Sequence, residues 1–162
     1  MIRPARADDV PALADLARRT WLDAFGESVS PENAAAEADA GRSEEHFRAA
    51  LEERTILVAE ESGSLVGYVE FDDGELRRLY VETALQGRGI GGALLDAALA
   101  HPRLAAAERV VLQVWEENTR AVRLYESVGF RRTGTKRFTI GDEVVEDAVF
   151  ELDRARGRAA PA

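Results

Sequence analysis

The chain has 162 residues, 46% apolar and 31% charged, with a formal net charge of −9 from 30 acidic and 21 basic residues. That size and mixture fit one soluble globular domain with its own core. The acidic balance speaks against generic binding to nucleic acid or an anionic membrane, and is compatible with a cationic substrate. With no cysteine and only His46 and His101, the chain has no disulfide frame or thiolate nucleophile, and a histidine metal site or a Ser-His-Asp triad is disfavoured.

Ile2 to Ala5 reads as a short first strand. Asp8 or Asp9 then caps a helix that tolerates Pro11 in its first turn, with Val10, Leu13, Leu16, Ala17, Thr20, Trp21 and Ala24 at helical spacing. Glu32 to Ala40 is alanine-rich and helical until Gly41 interrupts it, and Ser43 caps a helix through Phe47, Ala50 and Leu51. Thr55 to Ala59, Leu65 to Phe71 and Glu75 to Val81 are three consecutive antiparallel strands, turned at Ser62-Gly63-Ser64 and Asp72-Asp73-Gly74. Ile90, Leu94, Leu95, Ala98 and Leu99 form one helical stripe, closed by Pro102. Arg109 to Trp115 is an apolar strand, and Asn118 to Val128 a helix capped by Asn118 and stopped by Gly129. Two strands, Arg131 to Ile140 and Glu143 to Leu152, end the pattern. The order predicts an α+β fold on a mixed sheet. Residues 1–153 read as one domain and 154–162 as a flexible tail. Met1-Ile2-Arg3-Pro4 lacks the apolar core of a signal peptide, and no run approaches the roughly 18 apolar residues of a membrane span, so a cytoplasmic protein is expected.

The most informative stretch is Gln86-Gly87-Arg88-Gly89-Ile90-Gly91-Gly92, between a strand and a helix. Glycines let the backbone turn tightly and approach a ligand, and a helix starting there presents free N–H groups to an anion. A phosphate or pyrophosphate is the expected guest. A P-loop is set aside because no lysine follows the glycines. Gly87, Gly89 and Gly92 satisfy a dinucleotide fingerprint, but Glu82 to Gln86 separate them from the strand, and three antiparallel strands upstream do not build a Rossmann half. A nicotinamide-type oxidoreductase stays only as a distant rival.

Gln86, Gly89 and Gly91 match the Gln/Arg-x-x-Gly-x-Gly/Ala signature of the GNAT N-acetyltransferases. Glu75-Leu76-Arg77-Arg78-Leu79-Tyr80-Val81 resembles that family's fourth strand, and Asn118 to Phe130 its Asn-x-x-Ala-x-x-x-Tyr-x-x-x-Gly-Phe signature. The resemblance covers about residues 55 to 152. It implies a GNAT fold: a mixed, mostly antiparallel seven-stranded sheet, splayed at the acetyl-CoA site and flanked by four to five helices. Within the family the chain is most similar to the bacterial spermidine/spermine acetyltransferase-like branch, through Thr20-Trp21, Ala24-Phe25-Gly26, Pro31-Glu32-Asn33, Gly67-Tyr68, Trp115-Glu116-Glu117-Asn118 and Ile140-Gly141-Asp142-Glu143 with Asp147.

The resemblance implies transfer of acetyl from acetyl-CoA to a primary amine, polyamine-like as first guess, by direct attack in a ternary complex and without a metal. Leu79, Tyr80 and Val81 are expected along the cofactor arm through their main chain. Gln86, Gly87, Arg88, Gly89, Ile90, Gly91 and Gly92 are expected at the pyrophosphate, and Asn118 and Ala121 at the second signature. Tyr125 lies two helical turns after Asn118 on the same face and is expected to protonate the departing sulfur. Taken from its helix alone, Tyr125 reads as core beside Leu124 and Val128, and Asn118 as a cap. No histidine is placed to act as base, so Glu70 ranks first and Glu116 second, each more often a solvated acid. Asp23, Glu27 and Glu32 are weaker candidates for an amine entrance, and Trp21 and Phe25 read as core. Acetylation of a protein N-terminus or lysine, and a non-catalytic acyl-CoA-binding module, are the alternatives. A homodimer is left open, and neither nucleic acid nor membrane is expected as a partner.

Overall fold

The computed structural model describes residues 1–154, so the expected tail lies outside the described residues from position 155 onward. Seven strands, Ile2–Pro4 (β1), Thr55–Glu61 (β2), Ser64–Asp72 (β3), Glu75–Val81 (β4), Arg109–Val114 (β5), Arg131–Ile140 (β6) and Glu143–Asp153 (β7), form one sheet in the order β1-β2-β3-β4-β5-β7-β6. All neighbours are antiparallel except β4 and β5. The helices among the described residues are Val10–Phe25 (α1), Pro31–Gly41 (α2), Glu44–Glu53 (α3), Ile90–Ala100 (α4), Pro102–Ala105 (α5) and Thr119–Ser127 (α6).

The period of two in each strand sends alternate side chains to opposite faces. Leu57, Val69 and Phe71 join Leu94, Leu95 and Ala98 of α4 in one core, while Ile56, Val58 and Tyr68 join Leu13, Leu16 and Phe47 of α1 and α3 in the other. A third cluster, Trp21, Val29, Ala34, Ala38 and Ile140, ties α1 and α2 to the end of β6. Glu70 shares its face with Tyr68, so the same alternation drives a carboxylate inward beneath α3.

Three local expectations are corrected. Asp9 does not cap α1 with its side chain; a 3₁₀ turn over Ala7–Asp9 precedes the helix, and its carboxylate instead accepts from Arg3 at 2.8 and 2.9 Å and from the Arg6 N–H at 2.7 Å. Pro102 does not merely stop α4: it occupies the first position of α5, where its missing N–H costs nothing, and His101 Nδ1 caps that turn by accepting from Arg103 N–H. This turn raises the helix number above the four to five expected. Trp115 lies beyond β5, which ends at Val114.

The feature that positions the site is the joint between β4 and β5. On its other edge β4 pairs with β3 from Glu75 to Val81, with a bulge: Glu70 faces Arg78 and Phe71 faces Leu76, leaving Arg77 extra. A bulge bends and over-twists its strand. β5 is paired along its whole length with β7. Between them, only Glu75 and Val111 stand in register. Beyond that bridge the two strands part, and the open edge of β4 from Leu79 to Val81 borders a cavity.

Gly67 on β3 sets how closely α4 approaches the sheet. A Cβ there would lie 3.0 Å from Leu94 Cδ1 and 3.1 Å from the Tyr80 carbonyl oxygen, which is held in the ladder. Gly67→Ala is therefore expected to cost about 1–3 kcal/mol through overpacking. Urea unfolding checks this: the midpoint should fall while the m-value stays constant.

Candidate active site

The first cavity, about 530 Å³, fills the wedge between the parted strands and is roofed by the starts of α4 and α6. Gly87 and Gly89 have φ of 86° and 85°, the left-handed region that favours glycine. Gly89 is the N-cap of α4, and the first intrahelical bond runs from Ala93 N–H to Gly89 O at 3.0 Å. The N–H groups of Ile90, Gly91 and Gly92 therefore have no partner within the helix. Among the described residues no atom beyond its chain neighbours lies within 4 Å of a Cβ built on Gly89, so backbone conformation, not packing, favours glycine there.

The structure brings most of the expected binding residues to this one wall: Leu79, Tyr80, Val81, Gln86, Gly87, Gly89, Ile90, Gly91, Gly92, Asn118, Ala121 and Tyr125 all line the cavity. Gln86 does so while its amide donates back to Val81 O at 3.3 Å, closing the loop onto β4. Arg88 is the exception. It is exposed, points to Glu61 at 3.7 Å and does not border the cavity. The cation beside the glycines is Arg120 of α6, whose guanidinium lies 3.4 Å from where a Gly87 Cβ would sit. Sequence reasoning missed it because the pair spans 33 positions. The one available signal was its place two residues after Asn118, on the first turn of the helix that carries Tyr125.

Asn118 caps α6, its Oδ1 accepting from Ala121 N–H at 3.4 Å, and also borders the cavity, so cap and site wall coincide. Tyr125 is 5% exposed and packs edge-on against Phe130 at 5.7 Å. Burial, with a smaller effect from nearby Tyr80, pushes its phenol well above the usual range, so it holds its proton at neutral pH. Its hydroxyl has no hydrogen-bond partner among the described residues.

A second cavity of about 460 Å³ lies across the sheet and shares Leu79, Tyr80, Trp115, Asn118, Ala121 and Tyr125 with the first. A group entering from either side thus reaches the same few side chains. Trp21 and Phe25, expected as core, do stack at 5.7 Å, yet both also wall this second cavity. Asp23 borders the first cavity and accepts from Thr83 Oγ at 2.6 Å, while Glu27 and Glu32 border neither.

The two expected bases fall elsewhere. Glu116 is exposed and paired with Arg132 at 2.7 Å. Glu70 is 0% exposed and borders neither cavity. It sits among Arg54 at 3.2 Å, His46 at 3.5 Å and Arg78 at 3.6 Å. Burial pushes its carboxyl upward, but the surrounding His46, Arg78 and Arg54 outweigh that and hold it below the usual range. The carboxylate that does face the second cavity is Asp147 of β7, which burial pushes up to about 6. It makes no side-chain hydrogen bond or ion pair to any described residue. Among those residues no group of three His, Asp or Glu is assembled to hold a metal ion, and no helix is long and apolar enough to cross a membrane.

The comparisons with known proteins agree with this geometry. The chain matches the acetyltransferase (GNAT) family over residues 11–130. It is 36% identical over 148 residues to an uncharacterised N-acetyltransferase of Mycobacterium tuberculosis, covering 87% of this chain and 95% of the relative. It is 43% identical over 88 residues to the mycothiol acetyltransferase of Thermobispora bispora, covering 48% of this chain and 30% of that one. In three dimensions it is similar to the PaiA N-acetyltransferase of Thermoplasma acidophilum in complex with coenzyme A, at a TM-score of 0.80 and 22% identity over 94% of this chain and 98% of that one. A GCN5-related N-acetyltransferase of Rhodopseudomonas palustris gives 0.81 at 21% identity, over 94% of each chain. The cavity in the parted sheet, the glycine turn at its helix and the family match lead to one conclusion: the chain belongs to the GNAT family of acetyltransferases.

Proposed function

We propose that this acetyl-CoA-dependent N-acetyltransferase carries acetyl directly onto a primary amine within a ternary complex, the thioester entering by the first cavity and the amine by the second. The observation that carries this reading is the meeting of both cavities at Tyr80, Asn118 and Tyr125. The first cavity fits coenzyme A chemically. Free N–H groups of Ile90, Gly91 and Gly92 and the guanidinium of Arg120 suit a pyrophosphate. The unpaired edge of β4 suits the amides of a pantetheine arm, as an added strand would be bound.

The reaction needs a neutral nitrogen, a polarised carbonyl and a protonated leaving group. An N–H of Leu79 or Val81 on the open β4 edge supports the carbonyl oxygen as negative charge builds on it. The nitrogen lone pair attacks the carbonyl carbon and the carbon–sulfur bond breaks. Tyr125 gives its proton to the sulfur; the nitrogen loses one to water in the acceptor cavity, and that water returns a proton to Tyr125, so no net proton is gained or lost. A phenol held above its normal pKa donates to a thiolate of pKa about 8.5 only as the charge develops, so transfer and bond cleavage are concerted. With no cysteine in the chain, a covalent acetyl-thiol intermediate is not part of the scheme.

Glu70 is a poor base here, being held ionised between the guanidinium groups of Arg54 and Arg78 with His46 beside it, and Glu116 pairs with Arg132 outside both cavities. Residues that resemble the spermidine/spermine acetyltransferase-like branch support a polyamine acceptor, with which the net charge of −9 is compatible; the basic lining of the second cavity argues against it.

Tyr125→Phe is expected to lower kcat by about 100-fold, within the range for loss of a general acid, with acetyl-CoA affinity kept within about twofold. Thiol release and calorimetric titration measure the two; unchanged kcat would remove Tyr125 from the chemistry. Gly89→Glu should abolish acetyl-CoA binding, because it sets a side chain and a negative charge at a position that demands φ near 85°. Retained affinity would move the pyrophosphate away from this loop.

A further inference from the structure

We infer that the acceptor is an amine carrying its own anionic group, a carboxylate in the simplest case, with Arg42 holding the anion and Asp147 facing the amino group, which arrives as an ammonium and loses a proton to water before its lone pair attacks. This deepens the acetyl-transfer reading of the same site and rests on it.

The lining of the second cavity is richer in basic side chains than the chain as a whole. The chain carries a net charge of −9, yet Arg42, Arg54, Arg77, Arg78 and Lys136 border this cavity against Glu37, Glu75 and Asp147. Most of these cations are already engaged. Arg54 and Arg78 share the buried Glu70, and Arg77 takes Asp72 at 2.7 Å and Glu75 at 3.2 Å.

Arg42 is different. It is 9% exposed, lies over the Trp21 ring at 4.6 Å and has one acidic neighbour, Glu37, at 3.5 Å. Its Nε is buried with no hydrogen-bond partner. A buried guanidinium with an unsatisfied N–H is costly, and a planar fork of donors is suited to a carboxylate.

The unsatisfied atoms also cluster. Four buried side-chain polar atoms make no hydrogen bond among the described residues, Arg42 Nε, His46 Nε2, Tyr68 Oη and Glu70 Oε1, although His46 Nε2 and Glu70 Oε1 face each other at 3.5 Å. Arg42 and His46 line the second cavity, and Glu70 touches His46 and Arg78 of its wall. Native proteins leave few such atoms, so the buried and unsatisfied Arg42 Nε on the wall of this cavity marks a place for a polar guest. Asp147 supplies the opposite sign on the same wall, again without a side-chain partner. Its Cα stands across from Lys136 in the β6–β7 ladder, but no ion pair joins them. A diamine would place its second cation among the arginines. An amine with a carboxylate satisfies both ends, and a volume of about 460 Å³ is the size of a small-molecule site.

Both tryptophans of the chain, Trp21 and Trp115, line this cavity, so intrinsic fluorescence reports binding without any turnover. The experiment titrates putrescine, ornithine, ornithinamide and phosphoethanolamine into the protein with coenzyme A present, and measures acetylation of each in parallel. The expected result is that ornithine binds at least tenfold more tightly than putrescine or ornithinamide; phosphoethanolamine tells whether phosphate serves as well as carboxylate. Arg42→Met, which keeps the apolar stem, should erase that preference and leave putrescine affinity unchanged. Asp147→Asn should weaken all the amines about tenfold and leave acetate, which lacks an amine, unaffected.

A purely structural Asp147 would behave otherwise. Its folded pKa of about 6 lies above the unfolded value of about 3.9, so the ionised group opposes folding above pH 6. Asp147→Asn should therefore keep or raise Tm at pH 8 while losing amine affinity. Tighter binding of putrescine than ornithine, or equal loss of both in Arg42→Met, would overturn the inference while leaving acetyl transfer intact. Binding of ornithine without acetylation of any amine would instead count against the transfer reading alone.

Discussion

Everything at the site follows from one interrupted pairing. β4 is committed to β3 along its length and β5 to β7, and they share a single bridge, Glu75 to Val111. Two strands of one sheet that part this way leave backbone donors and acceptors with no partner in the chain. Such groups are costly when buried, so the gap has to be filled by water or by a ligand that can pair like a strand. The extra residue at Arg77 gives β4 the bend that opens the gap, and the glycine turn at the start of α4 closes one end of it.

The same joint separates two chemistries. On one side, the starts of α4 and α6 and Arg120 line the first cavity. On the other, Arg42, Arg54, Arg77, Arg78 and Lys136 line the second together with Glu37, Glu75 and Asp147. Tyr125 stands where they meet, and burial keeps its phenol protonated. Glu70 belongs to the framework of the second side: one carboxylate, wholly buried, holds Arg54, Arg78 and His46 together beneath the cavity floor. Breaking one partner of such a set leaves an uncompensated buried charge, so loss of Glu70 or of one of its arginines is costly to the fold.

Local patterns were readable from the sequence, and distant juxtapositions were not. The glycine spacing from Gln86 to Gly92 and the seven-residue interval from Asn118 to Tyr125 are short-range signals, and both lead to the cavity wall. The strand order of the meander from β2 to β4 was equally legible, because alternation and turn residues specify it. Arg120 and Arg88 could not be ranked in advance, since which arginine meets the glycines depends on how α6 packs across α4. Glu70 looked like a residue at a turn near two strands. Its true surroundings come from α3 and from the bulge in β4, neither of which leaves a mark near position 70. Asp147 was noted only as part of a family likeness. Its burial beside the second cavity comes from residues distant in sequence, among them Arg42, Tyr80 and Trp115 on the same lining, a relation no local window contains.

The single bridge at Glu75 has a consequence for how the molecule responds to its substrate. Two sheet halves, β1 to β4 and β5 to β7, are stitched to each other chiefly by side chains, with Leu76, Leu112, Val114 and Tyr125 in the shared core. A molecule lying in the wedge touches both halves at once and supplies the hydrogen bonds their edges lack. Occupancy is then a form of cross-linking: it couples the opening of the sheet to the concentration of acyl donor, adding about 2.7 kcal/mol of stability when the donor stands at 100 times its Kd. The folded chain is, in that sense, one strand short, and the metabolic supply of its thioester sets how rigid it is.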